Sequence, residues 1–401
     1  MSGKNKKILI ITPYFYPEDF PLNNFVKELS TKEYDIKVLT GLPNYRNFSF
    51  YKKYSIFGPY REKFYSSKIQ RVPVFPRLNN SFISILIFYL SFFISSFCFI
   101  IIYAIISRNK YHHVISFCGS PVYVGYLGTI FSKISNCKSS QWIQDIWPEA
   151  IISSFNIKKN NVFLKAVDYL QTKMWNSADI IVSQSELLNQ YFNRNYLNFK
   201  KVYINNPSRE TTDDNNKFNI HLNSKKKIIT YFGNVGNTQN IELIIDLLKN
   251  EDIIINICGI GSLLDLLKKK YSSYSNIIFH GWLNQKEMKT IAQKTDFFYL
   301  SLKNQGRQKY IFPSKFQTYL NYSKPIIFIG DSAFCHLIEI NKLGFALNIN
   351  EIQNPKILIE NINKFNMNDK ILFTKSTKKY FDENFNLNNI VKKFCRDVLN
   401  D

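Results

Sequence analysis

Carboxylates, glycine pairs and cations that directly follow short apolar runs are the residues best suited to chemistry in this 401-residue sequence. Asp145 and Glu149 follow the run 139–144 and flank Trp147. Carboxylates beside an aromatic ring suit the recognition of sugar hydroxyls or base catalysis. Glu149 also comes directly after Pro148, where the dipole of a helix N-terminus favours an acid, so a structural role explains it as well.

Two glycine-containing turns lie between an apolar run and a helical pattern in the second half of the chain. Glycines let the backbone approach an oxyanion, and a helix N-terminus offers free N–H groups and a positive dipole end. Each pair is also explained by the tight turn that it makes. Neither turn is a Walker A loop or a full G-x-G-x-x-G, which disfavours an ATPase or a dehydrogenase. The turns are Gly233-Asn234-Val235-Gly236 and Gly259-Ile260-Gly261.

The stretch 302–325 combines cations with a predicted helix start at Pro313 and Ser314. Cations beside free backbone N–H groups are what a diphosphate leaving group needs. A solvated basic loop that caps a helix is the alternative. The cations are Arg307, Lys309 and Lys315.

The sequence lacks the spacings of metal sites and activated nucleophiles. It has no H-E-x-x-H, G-x-S-x-G or D-x-D motif, and none of its six cysteines forms a C-x-x-C pair. We therefore expect no metal site and no disulfide framework, and we interpret the cysteines as buried free thiols.

Short β-branched runs alternate with amphipathic stretches, which is typical of parallel sheets with crossover helices. The alternation stops over the polar stretch 205–227 and then restarts. We therefore predict an α/β fold with two Rossmann-like, doubly wound domains, residues 1–206 and 228–380, joined by a linker over 207–227. The last segment, 381–401, predicts a helix that could belong to either domain, including by packing back on the first. The predicted strands are 6–12, 35–40, 113–117, 139–144, 180–183, 228–232, 253–258, 277–280, 297–300 and 325–329.

The segment 82–106 is uncharged over 25 residues, and as a helix of about 37 Å it could cross a bilayer core of about 30 Å. Predicted strands of one sheet lie on both sides of it, and a sheet cannot be divided across a membrane. We therefore expect a helix that dips into one leaflet or lies at its surface; a true span and a core helix are the alternatives. Arg71, Arg77, Arg108 and Lys110 flank it, as an anionic cytoplasmic leaflet favours.

The composition narrows the class of protein. A hydrophobic fraction of 45% and an aromatic fraction of 16% exclude a mainly disordered chain. The net charge of +22 fits nucleic acid, an anionic membrane or phosphorylated substrates. The first apolar run is too short for a signal peptide, so we expect a cytoplasmic location.

Together these stretches resemble glycosyltransferase family 4, whose retaining enzymes have the two-domain GT-B fold and use nucleotide sugars. The branch that it resembles most makes bacterial surface polysaccharides such as O-antigen and capsule, with N-acetyl-L-fucosamine and colanic-acid-type transferases. Thr-Gly-x-Pro-Asn-Tyr at 40–45 and Gln-Asp-x-Trp-Pro-Glu at 144–149 are its specific runs. The matching stretches occur in family order over nearly the whole chain: 12–18, 39–45, 144–149, 231–236, 259–261, 281–283, 313–317 and 324–325.

The resemblance implies that the second domain binds a nucleotide sugar, UDP-linked, without a divalent metal or another cofactor. Cationic side chains and helix N-termini would stabilise the departing phosphate, and the backbone at 281–283 would meet the base. The residues implied in donor binding are Gly233, Asn234, Gly236, Gly259, Gly261, Gly281, Trp282, Leu283, Pro313, Ser314, Lys315 and Gln317. The residues implied in catalysis are Asp145 and Glu149, facing an interdomain cleft, and Arg307 and Lys315 at the diphosphate.

The resemblance also implies that the first domain binds a polyprenyl-diphosphate-linked saccharide at the cytoplasmic face of the bacterial inner membrane. The leaving phosphate would help to deprotonate the acceptor hydroxyl, so that no protein nucleophile is needed.

The sequence departs from the family in two places. Tyr310 and Thr318 stand where relatives often carry paired glutamates, and the loop 17–20 lacks the usual glycines.

Two other functions are compatible with the sequence. A sugar-nucleotide epimerase on the same architecture would need acid and base residues around a sugar carbon, but no lipid acceptor and no membrane segment. A non-enzymatic membrane-binding or nucleic-acid-binding protein is suggested by the charge alone. The chain has no basic low-complexity arm and no nucleic-acid-binding motif, so we expect no nucleic-acid partner.

Overall fold

The computed structural model describes residues 6–45, 48–79, 81–155, 162–196, 199–207, 226–236, 239–301 and 306–400. The chain divides into two compact units. Unit 1 comprises Met1–Glu210 and Asn386–Asp401, and unit 2 comprises Thr211–Phe385. Most of the predicted linker, 207–227, lies outside the described residues.

Unit 1 is built on an eight-stranded sheet that is parallel except for one edge strand. Its strands are β1 (Lys6–Ile11), β2 (Tyr34–Gly41), β3 (Arg61–Phe64), β4 (Ser67–Val72), β5 (His113–Cys118), β6 (Lys138–Ile143), β7 (Ile180–Ser183) and β8 (Lys200–Tyr203). The order in the sheet is β3-β4-β2-β1-β5-β6-β7-β8, with β3 antiparallel to β4. Parallel neighbours joined by helices are the architecture that the alternating sequence predicts.

The central strand β1 shows why the sheet is covered on both faces. Ile8 and Ile10 belong to one core cluster, whereas Leu9 and Ile11 belong to another. Successive side chains of a strand point to opposite faces, so this run of buried apolar residues needs a layer on each side. The helices are α1 (Pro21–Leu29), α2 (Phe82–Ile106), α3 (Val124–Ser135), α4 (Glu149–Phe155), α5 (Val162–Trp175) and α6 (Glu186–Asn195).

The apolar helix α2 is the crossover connection between β4 and β5, and it packs along α3. Every fourth residue is buried, which gives one narrow inward stripe of Phe88, Phe92, Ser96, Ile100 and Ala104. Only 22% of its most apolar 18-residue window is buried. The opposite side forms an outer stripe of exposed large side chains: Ile83, Ile87, Leu90, Ile94, Ile102, Ile105 and Ile106.

Both ends of α2 are anchored on unit 1. Near its N-terminus, the Phe88 ring stacks on Tyr14 at 5.2 Å between centroids. Near its C-terminus, Ser135 Oγ donates to the Ala104 carbonyl at 3.2 Å. By length and composition alone, α2 is the one helix of the described residues that could cross a membrane.

Unit 2 is built on a six-stranded parallel sheet. Its strands are β9 (Lys227–Phe232), β10 (Ile253–Cys258), β11 (Ile277–Gly281), β12 (Phe297–Ser301), β13 (Ile326–Gly330) and β14 (Gly344–Asn348). The order β11-β10-β9-β12-β13-β14 is the Rossmann order, in which the first strand of the unit is central. The predicted α/β class with two doubly wound sheets is therefore confirmed.

The helices of unit 2 cover both faces of this sheet in the same way. They are α7 (Ile241–Leu248), α8 (Leu264–Lys270), α9 (Gln285–Lys294), α10 (Ser314–Asn321), α11 (Ser332–Ile340), α12 (Lys356–Lys364) and α13 (Met367–Asn384). Short 3₁₀ turns occupy Gly306–Tyr310 and Ile349–Glu351.

The chain returns to unit 1 at its end. Helix α14 (Leu387–Phe394) and a π-helical turn, Cys395–Leu399, pack on α1 and on one face of the first sheet. The Phe394 ring lies 5.0 Å from Phe25 and 5.3 Å from Trp142, measured between centroids. The last helix therefore completes the core of unit 1.

Candidate functional site

The Rossmann order gives unit 2 a switch point between β9 and β12, where the direction of the strand order reverses. Ligands of open α/β sheets bind outside the carboxyl ends of the strands at such a point. The turn after β9 begins with Gly233. The chain after β12 runs through 302–305, which lie outside the described residues, to the 3₁₀ turn that contains Arg307.

The turns after β9, β10 and β11 are joined by backbone hydrogen bonds. Gly233 N donates to the Cys258 carbonyl at 2.9 Å, and Gly259 N donates to the Gly281 carbonyl at 2.7 Å. A Cβ on Gly259 would lie 1.7 Å from the Gly233 oxygen, and one on Gly261 would lie 2.3 Å from the Val235 oxygen. The close approach of the turns therefore explains why both positions are glycine. Their part in donor binding stays a prediction.

Lys315, near the start of α10, reaches the turn after β9. Its Nζ donates to Tyr231 Oη at 2.7 Å and to Gln239 Oε1, and it lies 4.7 Å from the centre of the Tyr231 ring. A Cβ on Gly233, where φ is +135°, would lie 2.3 Å from Lys315 Cε, so glycine is what lets this side chain cross the turn. Burial lowers the pKa of Lys315 to about 7. This ammonium would gain from a bound anion.

Two tyrosines hold the β9 end of this arrangement in place. Tyr231 Oη donates to the Asn234 carbonyl at 2.5 Å, which closes the turn over Lys315. Tyr319 Oη accepts from Phe232 N at 3.0 Å, and its ring stacks on Phe298 at 4.3 Å. Sequence reasoning missed both tyrosines because buried phenols are usually interpreted as core residues.

The remaining predicted donor residues lie around these turns. Pro313 precedes α10, Ser314 is its exposed first residue, and Gln317 is buried one turn further on. Trp282 is 66% exposed, and Leu283 beside it is half-buried.

Tyr310 and Thr318 stand at the two positions where relatives often carry paired glutamates. Thr318 donates through its hydroxyl to the Ser314 carbonyl at 3.2 Å, within α10, and Tyr310 ends the 3₁₀ turn.

In unit 1, Asp145 follows β6 at the carboxyl end of the sheet. Its Oδ2 accepts from Ser120 Oγ at 2.8 Å, and Ser120 Oγ accepts in turn from Trp147 Nε1 at 3.2 Å. The residue is partly exposed, but burial of its carboxyl group raises the pKa of Asp145, and the hydrogen bond from Ser120 partly offsets this. A carboxylate held in this way suits acceptance of a proton or a hydroxyl hydrogen bond.

Glu149 is the first residue of α4, the position that the helix dipole favours. The intervening Trp147 is fixed by Gln171, which accepts from its N–H at 2.7 Å and donates to its carbonyl at 2.7 Å. Asp145 and Trp147 therefore share a hydrogen-bond partner, Ser120, whereas the position of Glu149 is explained by the helix N-terminus.

The loop that departs from the family has a structural carboxylate. Glu18 is 3% exposed, and its Oε1 accepts from the backbone N–H groups of Asn44 at 2.8 Å and Tyr45 at 2.5 Å. These hydrogen bonds tie together the loops after β1 and β2, which contain the family-like stretches 12–18 and 39–45.

An amide cluster at the ends of β6, β7 and β8 was not predicted. Asn206 Nδ2 donates to Gln144 Oε1 at 2.5 Å and to Gln184 Oε1 at 3.0 Å. Gln144 Nε2 and Asn206 Oδ1 are buried without a hydrogen-bond partner. Amides with spare donors and acceptors suit sugar hydroxyls, but single amides carry no spacing signal in a sequence.

Among the described residues, no group of three or more His, Cys, Asp and Glu side chains could hold a metal ion. The six cysteines are free thiols, but the expectation that they are buried holds for Cys118, Cys258 and Cys335 and is wrong for Cys98, which is exposed, and for Cys137 and Cys395, which are half-buried.

A protein-family model matches part of the chain. Residues 212–382 match the family model of the glycosyl transferases group 1, a range that covers most of unit 2 and less than half of the chain. No curated protein sequence matches the chain.

Solved structures match nearly the whole chain at low identity. Sucrose-phosphate synthase from Thermosynechococcus elongatus is 10% identical with a TM-score of 0.68, and the match covers 97% of each chain. HepE from Anabaena, in complex with UDP and glucose, is 12% identical with a TM-score of 0.63 over 97% of this chain and 98% of that chain. The lipopolysaccharide outer core galactosyltransferase WaaB is 13% identical with a TM-score of 0.63 over 98% and 99%.

The chain therefore has the GT-B fold, with two Rossmann-like parallel sheets. Together with the group 1 match in unit 2, this fold supports a glycosyltransferase of the GT-B superfamily.

Proposed function

We propose that this protein is a retaining glycosyltransferase, similar to family 4, that uses a UDP-linked sugar as donor. The observation that carries the proposal is Lys315, whose half-buried side chain lies against the glycine turn of β9 at the switch point of a group 1 domain. A diphosphate is the ligand that would stabilise this charge. Solved structures with the same fold include complexes with UDP and with UDP-glucose.

The donor would lie on the turns of unit 2. Gly233 and its neighbours would approach the diphosphate, and Lys315 and Arg307 would neutralise the charge that develops on the leaving group. The exposed Trp282 and the backbone beside it would meet the base. The transfer would need no divalent metal and no protein nucleophile, because the leaving phosphate itself would accept the acceptor proton.

The acceptor would be a polyprenyl-diphosphate-linked saccharide bound by unit 1, with Asp145 orienting the reacting hydroxyl. The sugar transferred would be an N-acetylated deoxyhexosamine, as in O-antigen, capsule or exopolysaccharide synthesis. Structural neighbours involved in lipopolysaccharide synthesis support this class of product. The outer stripe of α2 would hold the enzyme on the cytoplasmic face of the inner membrane, in an anionic leaflet.

A transfer assay tests the proposal. The purified protein is incubated with a panel of UDP-hexoses, UDP-N-acetylhexosamines and UDP-linked N-acetylated deoxyhexosamines and with synthetic polyprenyl-diphosphate-linked monosaccharides in detergent micelles. We expect a glycosylated lipid and released UDP with one donor, and an unchanged anomeric configuration by NMR. A folded sample that binds no UDP and transfers no sugar would contradict the proposal. Epimerisation of the donor without an acceptor would favour an epimerase instead.

A further inference from the structure

The tight turn from Ser55 to Gly58, in the loop before β3, carries the most exposed large apolar side chain of the described residues. Phe57 is 92% exposed, and Ile56 beside it is 51% exposed. A side chain with so little contact adds nothing to the packing of unit 1, and its removal from water would be favourable. The surroundings of these two residues, the tip of the turn, indicate what would cover them.

The turn is held in a defined shape by its own hydrogen bonds. Ser55 and Gly58 form a β-bridge in which each N–H donates to the other carbonyl, at 2.9 and 3.0 Å. Phe57 N donates to Ser55 Oγ at 3.2 Å, and Tyr60 Oη donates to the Ile56 carbonyl. Pairing of these groups lowers the cost of taking the turn out of water. The tip can therefore enter an apolar medium without a change of shape.

The base of the turn is anchored on the face of the first sheet that α2 covers. Tyr54 and Tyr60, on either side of the tip, pack against the core cluster that contains the apolar residues of the inward stripe of α2. The Tyr60 carbonyl accepts from Arg71 N at 2.8 Å, which joins the turn to β4. The turn and α2 therefore belong to the same layer of unit 1.

Exposed cations flank the tip on both sides, and they have no ion-pair partner among the described residues. They are Lys52, Lys53, Arg61 and Lys63. The one carboxylate between residues 48 and 67 is that of Glu62, which accepts from Arg71 Nε at 2.5 Å and from Tyr54 Oη at 2.9 Å. An apolar tip between cations that no carboxylate neutralises is complementary to phosphate groups above a hydrocarbon layer.

A second copy of this chain fits the tip less well than a lipid surface. A two-fold contact presents the same patch on both partners, so the four cations of one copy would face those of the other. An anionic bilayer offers phosphates and an apolar interior over its whole area. The exposed side chains of the outer stripe of α2, in the same layer of unit 1, fit the same medium.

We propose that the turn at 55–58 inserts into an anionic lipid bilayer, with Ile56 and Phe57 among the acyl chains and the four cations at the phosphates. This is a second membrane contact, separate from the attachment proposed for α2, and it depends on neither the donor nor the acceptor of the reaction. Two contacts would fix the rotation of unit 1 on the membrane, whereas one helix would leave unit 1 free to turn about the helix axis.

Cosedimentation with phosphatidylethanolamine–phosphatidylglycerol vesicles measures the contribution of the tip. Phe57→Ser should weaken vesicle binding by at least about tenfold, because a phenylalanine side chain leaves the lipid. The variant should melt like the wild type, since the ring packs on so little of the protein. Ile357→Ser, at a 69% exposed residue of unit 2, is the matched control and should bind like the wild type. Lys52→Gln with Lys53→Gln should weaken binding to these vesicles by about tenfold or more.

A photoreactive residue identifies what covers the tip. With p-benzoylphenylalanine at position 57, irradiation of the vesicle-bound protein should give a lipid adduct in the mass spectrum, and the same residue at position 357 should give none. Crosslinked dimers would assign the tip to a second copy and overturn the proposal.

The vesicle assay separates this contact from the other proposals. A wild type that binds no vesicles overturns the inference. If Phe57→Ser binds as tightly as the wild type while Ile94→Gln in the outer stripe of α2 loses binding, the attachment by α2 stands and the inserted turn is wrong. UDP binding by the same samples reports separately on the glycosyltransferase assignment.

Discussion

At the scale of single residues, the two candidate sites contain ionisable groups of opposite charge in similar surroundings. Lys315 in unit 2 and Asp145 in unit 1 are both ionisable groups whose burial disfavours the charged form. Each is held by a neutral side chain, Tyr231 or Ser120, at the carboxyl end of a parallel strand. Perturbed groups at such positions are expected where a ligand supplies the missing compensation.

Lys315→Met should weaken UDP binding by about 10–100-fold, since a hydrogen bond to a charged group is worth about 1.5–3 kcal/mol. Because the pKa of Lys315 is lowered to about 7, a bound diphosphate should restore the proton, and wild-type affinity should fall as the pH rises above this value. Calorimetry in buffers of different ionisation enthalpy measures that proton uptake. A wild type that binds UDP without proton uptake at mildly alkaline pH would contradict the assignment.

The lowered pKa of Lys315 also determines whether the stability of the fold rises or falls with pH. The unfolded lysine keeps its ordinary pKa of 10.5, so between about 7 and 10.5 the unfolded chain binds more protons. Stability should therefore rise with pH in this window, and the cost of burying the charge is greatest below it. Lys315→Met should accordingly be at least as stable as the wild type at neutral pH, which separates lost binding from lost folding.

Asp145→Asn should lower kcat/KM by about a hundredfold if this carboxylate orients or deprotonates the acceptor hydroxyl. The pKa of Asp145 is raised by burial, so its ionised form costs stability at neutral pH and the variant should keep or raise the melting temperature. Initial rates and thermal unfolding measure the two effects. Asp252→Asn, at an exposed acid of unit 2, is the control, and unimpaired turnover in Asp145→Asn would exclude a role in the reaction.

At the scale of elements, the ten predicted strands all correspond to observed strands, because buried parallel strands are runs of β-branched residues bounded by turns. The sequence did not predict β3, β4, β8 and β14. β3 (REKF) is an edge strand with three charged residues, and β4 (SKIQRV) is mostly buried but carries four polar side chains, so neither is an apolar run. β8 is only four residues long, and β14 begins at Gly344.

The site was predictable where a motif fixes the backbone and unpredictable where separate strands bring single residues together. Gly233 and Lys315 were identified by turn chemistry and by resemblance, and a contact joins them. Tyr319 and Gln239 carry no local signal, because their partners lie on elements that only the fold brings close. The same applies to the amide pair of Gln144 and Asn206.

The stacked glycine turns of unit 2 yield a matched pair of variants. Gly259→Ala places a Cβ 1.7 Å from the Gly233 oxygen at φ +150°, so backbone must move, and we expect a loss of about 3 kcal/mol or more. Gly281→Ala has φ +71° but meets nothing within 4 Å, so only the strain of about 1–2 kcal/mol remains. Denaturant unfolding of the purified variants measures both. Equal losses would mean that the turns do not stack as described.

Replacing two residues of the outer stripe tests membrane attachment. Ile94→Gln with Ile102→Gln should leave folding intact, because these side chains are 60% and 63% exposed. Cosedimentation with anionic vesicles should fall by about tenfold or more, since burying one such side chain in lipid is worth about 1.5–3 kcal/mol. Ile340→Gln, at a 65% exposed residue of unit 2, is the matched control. Undiminished vesicle binding would count against the stripe as the attachment surface.

At the scale of the whole molecule, the net charge of +22 has two candidate uses: Lys315 and Arg307 for the donor diphosphate, and the exposed Arg108 and Lys110 beyond the end of α2 for an anionic membrane surface. Unit 1 is also discontinuous in sequence, since its core needs residues from both ends of the chain. The stability of unit 1 therefore depends on α14.

Phe394→Ala should destabilise unit 1 by about 3–5 kcal/mol, because the ring is fully buried between Phe25 and Trp142. The unfolding transition of unit 2, identified by the protection that UDP gives it, should not move. Lys392→Ala, at an exposed position of the same helix, should change neither transition. A uniform shift of both transitions would show that the units do not unfold separately.

The position of α2 in the chain also affects biosynthesis. Its main packing partner, α3, is translated after it, so this 25-residue apolar helix leaves the ribosome before most of the surface that covers its inward stripe exists. During that interval the nascent segment has the length and hydropathy that membrane insertion machinery accepts. Correct folding therefore requires that roughly the next thirty residues are synthesised before the segment inserts into the membrane. Slow codons directly after residue 106 should divert chains into the membrane, whereas rapid synthesis of α3 should keep them on the folding route.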